Sequence, residues 1–393
     1  MILCDFLIDQ YERKTKWNNI TEGNASFRIE EKYYKYLDKT SFLNQAKELE
    51  SKKLLKIKWV SGYYNEDIEK LKYPLTSMKD FYRIANRKPK YEEIMEKKQE
   101  IIDLLQKVKT SWIREYLEKE VLKNLIDEKY LKKYKVNEAK DKKNTLLYQC
   151  LLGLDQLDSP IFKRVFSKRY LKNSKLFEKQ LQSVVLRIAR KYHDGVEEGM
   201  ENSDVLFQLY IEEYSQELHI KGSLLIKADG ITLDTGEYHY GTVLNSLTLK
   251  NAVILKNQKI NKILTIENKA NYMAEPYEAG TLVIFTHGYF TPLERDFLCC
   301  LKESLEDKPV TYLHSGDLDY GGVRIFQYIK SRIFPDLKPY KMDIETYNRY
   351  ISCGEAIEER TLKKLKKCRE PILQDVIDRI IETGLVIEQE AYL

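Results

Sequence analysis

Three short apolar runs in the C-terminal half constrain the fold more than any other feature of this sequence. They read ILTI at residues 263–266, TLVIFT at 281–286 and VTYLHS at 310–315. Each run has the length of a buried strand, and segments long enough to form helices separate the three. This alternation predicts parallel strands with helices between them, which is the pattern of an α/β domain.

Acidic residues directly follow two of these runs. Glu267 follows the first, and Asp317 and Asp319 follow the third, with Gly316 before the pair and two glycines after it. Open α/β sheets place their sites at the carboxyl ends of their strands, so we expect these carboxylates to converge there. Oxygen ligands with few histidines suit Mg²⁺ or Mn²⁺ better than Zn²⁺. Each acid alone has an ordinary alternative, because aspartates beside glycine are common in turns and Glu267 can be a simple strand-end residue.

The composition limits the possible classes of protein. A chain of 393 residues, 43% of them hydrophobic, can form two or three domains with their own cores. The formal net charge of +5 does not by itself indicate a nucleic-acid partner. None of the six cysteines forms a C-x-x-C pair, which favours reduced thiols over a zinc site or a disulfide framework.

The N-terminal residues do not have the pattern of a targeting segment. Asp5 and Asp9 interrupt the apolar residues before a signal-like core forms. No apolar run approaches the roughly 20 residues that a membrane span requires. We therefore expect a cytoplasmic protein with no membrane association.

The first part of the chain predicts two regions. In residues 1–88, a helix that Ser41 is placed to cap precedes a period-two strand at 54–60 and a turn, which is the element order of a winged helix. We interpret this region as a winged-helix-like unit for DNA binding or docking, the alternative for its lysines being a solvated strand face. Residues 89–145 are rich in Lys and Glu with helical apolar spacing, which indicates a helical arm and a docking element for a partner.

Residues 146–240 form the third predicted region, which is basic, helical and β-rich. Between residues 161 and 191, ten Lys or Arg residues stand against a single acid, Glu178. Aromatic residues lie between these cations, so the segment is typical of a DNA-binding surface whose affinity falls with salt. The candidate DNA contacts are Lys163, Arg164, Lys168, Arg169, Lys172 and Lys175. The alternative is a basic helix face that pairs with acids elsewhere on the protein.

Residues 241–393 form the fourth region, and the order of its motifs resembles the toprim fold. In that fold a glutamate at a strand end, a glycine-bearing loop and an Asp-x-Asp pair follow one another, here as Glu267, Gly288 and Asp317 with Asp319. The resemblance implies an α/β toprim domain whose sheet is mainly parallel, with helices on both faces. The winged-helix-like and helical arm regions would precede this domain.

The resemblance is closer to one family, the JetD proteins, which are nuclease subunits of bacterial Wadjet anti-plasmid systems. It is carried by ILTIENKAN at 263–271, THG at 286–288 and SGDLDYGGVRIF at 315–326. The segments RVFS at 164–167 and NSK at 173–175 and the ending IEQE at 387–390 are similar to that family as well.

This resemblance implies a function, partners and a set of site residues. JetD-like proteins are related to the A subunit of topoisomerase VI, form homodimers and cut double-stranded plasmid DNA with a divalent metal ion, beside an SMC-kleisin-type complex. For this chain it implies a DNA endonuclease in which Glu267, Asp317 and Asp319 are the catalytic metal ligands. Glu390 is assigned as a fourth ligand, while the alternative for Glu388 and Glu390 is that both are terminal surface acids.

Two other functions stay open at this stage. Transesterification of the topoisomerase VI type needs a tyrosine nucleophile, and none of the 29 tyrosines stands out by motif, so metal-activated water is favoured. A non-catalytic DNA-binding subunit is disfavoured because all three principal acids are present. The histidines also differ from a simple pattern: His287 stands where a small residue is expected, and His314 is interpreted as a strand-end residue rather than a general base.

Overall fold

The chain divides into two units, Met1–Tyr148 and Gln149–Leu393. The computed structural model describes residues 3–13, 23–30, 33, 38–126, 138–213 and 216–393. The predicted regions 1–88 and 89–145 fall in the first unit, and residues 127–137 of the predicted arm lie outside the described residues. The regions 146–240 and 241–393 fall almost wholly in the second unit.

The first unit begins with a small three-stranded sheet and three helices. The strands are β1 Asn24–Arg28, β2 Lys56–Trp59 and β3 Ile68–Pro74, and the helices are α1 Leu3–Glu12, α2 Lys39–Ser51 and α3 Met78–Ile84. Both pairings are antiparallel, in the order β1-β3-β2. The predicted helix and the hairpin after it are therefore present, while β1 is an additional strand. The helix cap differs from the prediction, because Asp38 accepts the hydrogen bond from the Ser41 N–H and begins α2.

The segment predicted as an arm is helical wherever it is described. It contains α4 Lys90–Lys107, α5 Ser111–Tyr116, a π-helical turn Leu117–Leu122 and α6 Glu138–Asp155. The chain is extended at Val108, where α4 ends. The Arg114 guanidinium donates to the carbonyls of Leu105 and Val108 at 2.6 and 3.2 Å, so it satisfies acceptors that the end of a helix leaves without partners.

A six-stranded mixed sheet organises the second unit. Its strands are β6 Glu217–Lys221, β9 Thr242–Asn245, β11 Lys262–Ile266, β12 Thr281–Phe285, β13 Thr311–Ser315 and β14 Lys338–Pro339. Their order is β14-β13-β11-β12-β6-β9, and the first three pairings are parallel while the last two are antiparallel. The three apolar runs are thus the adjacent parallel strands that the sequence predicts. The strand β6 comes from the segment before residue 241, so the sheet begins earlier in the chain than the predicted fourth region.

Shorter strands and ten helices complete the described part of the second unit. The strands are β4 Ile161–Phe162, β5 Ile211–Glu212, β7 Leu225–Ala228, β8 Ile231–Asp234, β10 Val253–Ile254, β15 Glu355–Ala356 and β16 Leu385–Val386. The helices are α7 Lys163–Leu171, α8 Gln182–Tyr192, α9 Asn202–Gln208, α10 Ser246–Asn251, α11 Lys269–Ala274, α12 Pro292–Glu303, α13 Tyr320–Arg332, α14 Ile344–Tyr350, α15 Glu359–Leu365 and α16 Gln374–Thr383. Single turns of other helix types are the π-helical Phe177–Leu181 and the 3₁₀-helical Leu75–Ser77, Thr235–Glu237, Ile351–Cys353 and Gln389–Tyr392, the first 3₁₀ turn belonging to the first unit.

The strand β11 is buried along its length, which positions the residue that follows it. Ile263 and Thr265 are fully buried, and Leu264 and Ile266 are nearly so, as expected for a central parallel strand with both faces covered. Because β11 pairs in parallel with β12 and β13, its carboxyl end lies beside the carboxyl ends of those two strands. In the described ranges, no helix has both the length and the apolar character that crossing a membrane requires.

Candidate metal centre

Glu267 lies opposite the start of the Asp-x-Asp segment. Its main-chain N–H donates to the carbonyl of Ser315 at 3.0 Å, so the pairing of β11 with β13 continues for one residue beyond the strands. Its side-chain Oε2 accepts a hydrogen bond of 3.4 Å from the Asp317 N–H. A Cβ atom on Gly316 would lie 2.6 Å from the same Oε2. A side chain at position 316 would therefore displace this carboxylate from its position.

Asp317 and Asp319 are held in two different ways. Oδ1 of Asp317 accepts a hydrogen bond of 2.7 Å from the main-chain N–H of Gln389. Asp319 is the N-cap of α13, and its Oδ1 accepts from the Gly322 N–H at 2.7 Å. A Cβ atom on Gly322 would lie 2.1 Å from the carbonyl oxygen of Asp317. The tight turn that the glycines predict is therefore present, and it fixes both aspartates at the start of one helix.

The C-terminal segment completes the group of acids. Leu318 and Ile387 form an isolated antiparallel bridge with main-chain hydrogen bonds of 2.9 and 3.2 Å. This bridge brings the acidic ending to the Asp-x-Asp segment. One carboxylate oxygen each of Asp317, Glu388 and Glu390 lies within 4.8 Å of the others.

The structure thus brings together only some of the predicted ligands. Asp317 and Glu390 belong to one group, and Glu388, which the prediction left between ligand and surface acid, joins them. Glu267 and Asp319 are outside this group of three. Both still interact with the group: besides burial, the charge of Asp319 raises the pKa of Asp317 and of Glu388, and the charge of Asp317 raises the pKa of Glu267.

The electrostatics of these acids favour a bound cation. Burial raises the pKa of Glu267 to about 8, and the charges of Asp317 and Asp319 act in the same direction. Burial likewise raises the pKa of Asp317 to about 7, against the lowering effect of the Gln389 N–H. Burial also raises the pKa of Asp319 and of Glu388. Several carboxylates that repel one another at a sheet edge are a donor set that fits a hard divalent cation such as Mg²⁺ or Mn²⁺.

Gln389 connects the three segments of the site, and sequence reasoning missed it. Its side chain is almost fully buried; Nε2 donates to Ser315 Oγ at 2.7 Å, and Oε1 accepts from the Asn268 N–H at 2.9 Å. Its carbonyl accepts from Asn271 Nδ2 at 2.9 Å. The acidic ending drew attention to Glu388 and Glu390, but a glutamine between two acids carries no pattern that predicts burial.

The two histidines near the strand ends are structural. His314 is fully buried within β13, its Nδ1 lies 2.9 Å from Thr265 Oγ1, and burial lowers its pKa to about 3, so the strand interpretation is confirmed. His287 has a left-handed backbone with φ of 45°, which explains why a small residue is expected at this position. Its Nε2 lies 3.1 Å from Oε1 of Glu294, a carboxylate that is fully buried.

The basic segment upstream is only partly free to bind a ligand. Arg164, Lys168, Arg169, Lys172 and Lys175 are exposed on or beside α7. Lys163 is mostly buried and forms ion pairs with Glu213 and, at 4.0 Å, with Glu178. Lys163 therefore fits the alternative stated above, in which a basic residue pairs with acids elsewhere on the protein.

Comparison with known proteins gives two matches. The family model described as "Wadjet protein JetD, C-terminal" matches residues 224–392, which include all five acids of the site. A curated Wadjet protein JetD from Bacillus cereus (strain Q1) is 30% identical over 407 residues, which cover 99% of this chain and 97% of that protein. The match extends through both units, so it includes the N-terminal regions that the sequence motifs did not cover. The chain therefore belongs to the JetD family of Wadjet proteins.

Proposed function

We propose that this protein is a divalent-metal-dependent endonuclease that cuts double-stranded plasmid DNA. Membership of the JetD family gives the chain a role in a Wadjet defence system. The observation that carries the nuclease proposal is the group of Asp317, Glu388 and Glu390 at the ends of parallel strands, with carboxylate oxygens within 4.8 Å of one another. Glu267 and Asp319 border this group, and the sheet, the glycine turn and the order of acids support a toprim assignment.

The residues of the site divide into ligands and supports. Asp317, Glu388 and Glu390 would hold Mg²⁺ or Mn²⁺, with Glu267 and Asp319 as the further ligands that the motif implies. A bound ion of this kind stabilises the negative charge that develops when a phosphodiester is hydrolysed. The Gln389 N–H orients Asp317, and the N-terminus of α13 orients Asp319. Neither residue can rotate without breaking a hydrogen bond, so the acids are held in place for an ion.

The DNA contacts are proposed from charge and exposure. The exposed cations Arg164, Lys168, Arg169, Lys172 and Lys175 are suited to phosphates of the DNA backbone. The small antiparallel sheet and its helices in the first unit support a winged-helix-like role in DNA binding or docking. We further propose an SMC-kleisin-type complex of the same system as the partner, the predicted helical region 89–145 as a docking element, and a homodimer as the working state.

The test is cleavage of plasmid DNA with the partner complex present, in Mg²⁺ or Mn²⁺. We expect Glu267→Gln and Asp317→Asn to abolish cleavage, and Glu359→Gln, an exposed acid paired with Lys363, to leave it unchanged. Absence of cleavage with both metals would reject the nuclease proposal. Cleavage that persists in both site variants would reject the site, and a covalent bond between the protein and a DNA end would replace hydrolysis by tyrosine transesterification.

A further inference from the structure

Three cations lie on the helices that follow the Asp-x-Asp segment. Arg324 and Arg332 are on α13, the helix that Asp319 caps, and Lys364 is on α15. The Nζ of Lys364 lies 5.6 Å from the ring centroid of Tyr320, the residue directly after Asp319. The side chains of these cations are about one quarter to two fifths exposed. They form a positively charged surface, which we name the α13 cation surface.

Two adjacent glutamates occupy this surface. Oε2 of Glu197 lies 3.0 Å from Nη2 of Arg324, and Oε1 of the same carboxylate lies 3.4 Å from Nη2 of Arg332. Oε1 of Glu198 lies 3.0 Å from Nζ of Lys364. One carboxylate thus bridges two guanidinium groups, and the next neutralises the third cation. Nε of Arg324 is buried and has no hydrogen-bond partner among the described residues, so the contacts to the glutamate leave this guanidinium incompletely satisfied.

The glutamates belong to the loop between the basic helix α8 and α9. This loop is also held by Arg332, which donates to the Asp194 carbonyl at 2.9 Å, and by the Tyr289 hydroxyl, which donates to the Glu198 carbonyl at 3.1 Å. Gly199, next in the chain, has φ of +100°, a conformation that few other residues adopt. The loop is also anchored by Met200, which is almost fully buried and whose carbonyl accepts from Arg190 at 2.8 Å. Displacement by DNA therefore requires the two glutamate side chains to rotate rather than the whole loop to move.

The α13 cation surface lies in the electrostatic neighbourhood of the candidate metal centre. Burial raises the pKa of Tyr289, Arg324 lowers it, and the charges of Glu197 and Glu267 both raise it. One tyrosine side chain therefore responds both to a residue of the centre and to the ion pair of the loop. A DNA strand at the centre would need its neighbouring phosphates neutralised. Arg324 and Arg332 lie on the helix that begins at the centre, and Lys364 lies beside the first residue of that helix.

We propose that Arg324, Arg332 and Lys364 form a binding site for DNA backbone phosphates beside the metal centre, and that Glu197 and Glu198 occupy it until DNA displaces them. This inference rests on the proposed function because it takes DNA as the ligand. Arginine forks bind carboxylate and phosphate oxygens with the same geometry, so one ligand replaces the other without leaving the cations unpaired. The glutamates act as an electrostatic gate that lowers the affinity for DNA.

The test is the affinity of the full chain for a DNA duplex, measured by fluorescence anisotropy in EDTA over a range of salt concentrations. For Glu197→Gln with Glu198→Gln we expect affinity about tenfold higher at moderate salt, and a salt slope steeper by about 1 to 3, since each phosphate contact adds about 0.9. The matched control is Glu278→Gln with Glu382→Gln, which removes two exposed acids from ion pairs elsewhere in the same unit. We call Glu197→Gln with Glu198→Gln the gate variant. Adding Arg324→Gln to it should remove most of the gain in DNA affinity.

The outcomes separate this inference from the nuclease proposal. A gate variant that keeps its cooperative thermal unfolding but matches the control in affinity and salt slope would overturn the inference, whether or not the protein cleaves DNA. A gain that Arg324→Gln does not reverse would also overturn it. Because EDTA prevents metal-dependent cleavage, a steeper salt slope would support the phosphate site even for a protein that fails every cleavage assay.

Discussion

The main-chain N–H of Gln389 donates a hydrogen bond of 2.7 Å to Oδ1 of Asp317, so the C-terminal segment orients a carboxylate of the candidate metal centre. The same residue contacts the ends of β11 and β13 through its side chain. The centre is consequently built from two strand ends and a tail that are far apart in the sequence. The position of the tail decides both where Glu388 and Glu390 lie and how Asp317 points.

Replacing the Gln389 side chain should weaken both metal binding and the fold. Gln389→Ala removes the contacts to Ser315 and Asn268 but keeps the main-chain N–H that Asp317 accepts. We expect a loss of about 1–3 kcal/mol in unfolding free energy and a 10- to 100-fold loss in Mg²⁺ affinity, as is typical of groups that orient metal ligands, both figures being approximate. Calorimetric titration with Mg²⁺ measures the second effect.

The control for this prediction is Gln374→Ala, which loses one surface contact to Asp378. It should leave Mg²⁺ affinity unchanged. If Gln389→Ala bound Mg²⁺ as tightly as the wild type, the tail would not orient the ligands.

Substitution by alanine should destabilise the protein more at Gly316 and Gly322 than at Gly321. A Cβ atom would meet Glu267 Oε2 at 2.6 Å in Gly316→Ala and the Asp317 carbonyl at 2.1 Å in Gly322→Ala, whereas in Gly321→Ala it meets Asp319 Oδ1 at 3.3 Å. We expect the first two variants to lose about 1–3 kcal/mol of stability and the third to lose less. Urea unfolding measures the loss.

The two destabilising glycine variants should also differ from each other. Gly316→Ala pushes against a side chain, which can rotate, so its main effect should be on metal affinity. Gly322→Ala pushes against main chain, so its main effect should be on stability. Equal stability of all three variants would contradict the steric argument.

The burial of these acids, together with the repulsion among them, predicts that the metal-free protein loses stability as pH rises. The pKa of Glu267 is raised to about 8, so between its unfolded value near 4.5 and that value the folded state binds a proton that the unfolded state releases. Stability therefore falls as pH rises through this window. We expect the melting temperature in EDTA to fall between pH 5 and pH 8, and the fall to be smaller in Glu267→Gln.

Added Mg²⁺ distinguishes this effect from ordinary alkaline destabilisation. The ion should restore the melting temperature of the wild type at pH 8, because a ligand at about 100 times its dissociation constant adds about 2.7 kcal/mol. It should stabilise Glu267→Gln less. Identical pH profiles for the two proteins in EDTA would show that Glu267 is not the group that titrates.

The strands were predictable from the sequence because their signal is local. β11, β12 and β13 are buried parallel strands, and such strands are continuous apolar runs that can be recognised without knowing their neighbours. The pairing of a strand is not a local property: the sequence indicates β-structure around β6, but the antiparallel pairing of β6 with β12 depends on tertiary packing. The cap of α2 fails for a simpler reason, since Asp38 and Ser41 are both good capping residues only three positions apart.

The parts of the site that depend on local sequence were predictable, and the parts that depend on contacts between distant segments were not. Glu267, Asp317 and Asp319 follow predicted strands, so their side chains could be assigned to one edge of the sheet. The approach of Glu388 and Glu390 depends on the bridge between Leu318 and Ile387, two apolar residues whose pairing no periodicity announces. The glutamates that occupy the α13 cation surface were missed for a similar reason, because ion pairs between distant segments leave no spacing pattern.

The ion pair between His287, whose side chain is partly exposed, and the fully buried Glu294 should stabilise the protein most in mildly acidic conditions. Burial lowers the pKa of His287, but the Glu294 carboxylate outweighs it and raises the pKa overall; burial raises the pKa of Glu294, and the His287 charge outweighs that and lowers it. The stability that the histidine contributes to the folded state is fully present below its unfolded pKa and is lost as pH rises through its folded pKa. The contribution of the carboxylate is lost as pH falls through its folded pKa.

Removing one member of this pair should therefore cost more at pH 6 than at pH 9. In Glu294→Gln the charged imidazole loses its partner, and the loss of a hydrogen bond to a charged group costs about 1.5–3 kcal/mol. The imidazole loses its charge as pH rises through its folded pKa, so the loss should be smaller at pH 9, and urea unfolding at the two pH values measures the difference. Glu303→Gln, an exposed acid on the same helix α12, is the control and should show little effect at either pH. A penalty for Glu294→Gln that is the same at pH 6 and pH 9 would mean that its role is confined to capping the helix through Thr291, whose N–H it accepts at 2.9 Å.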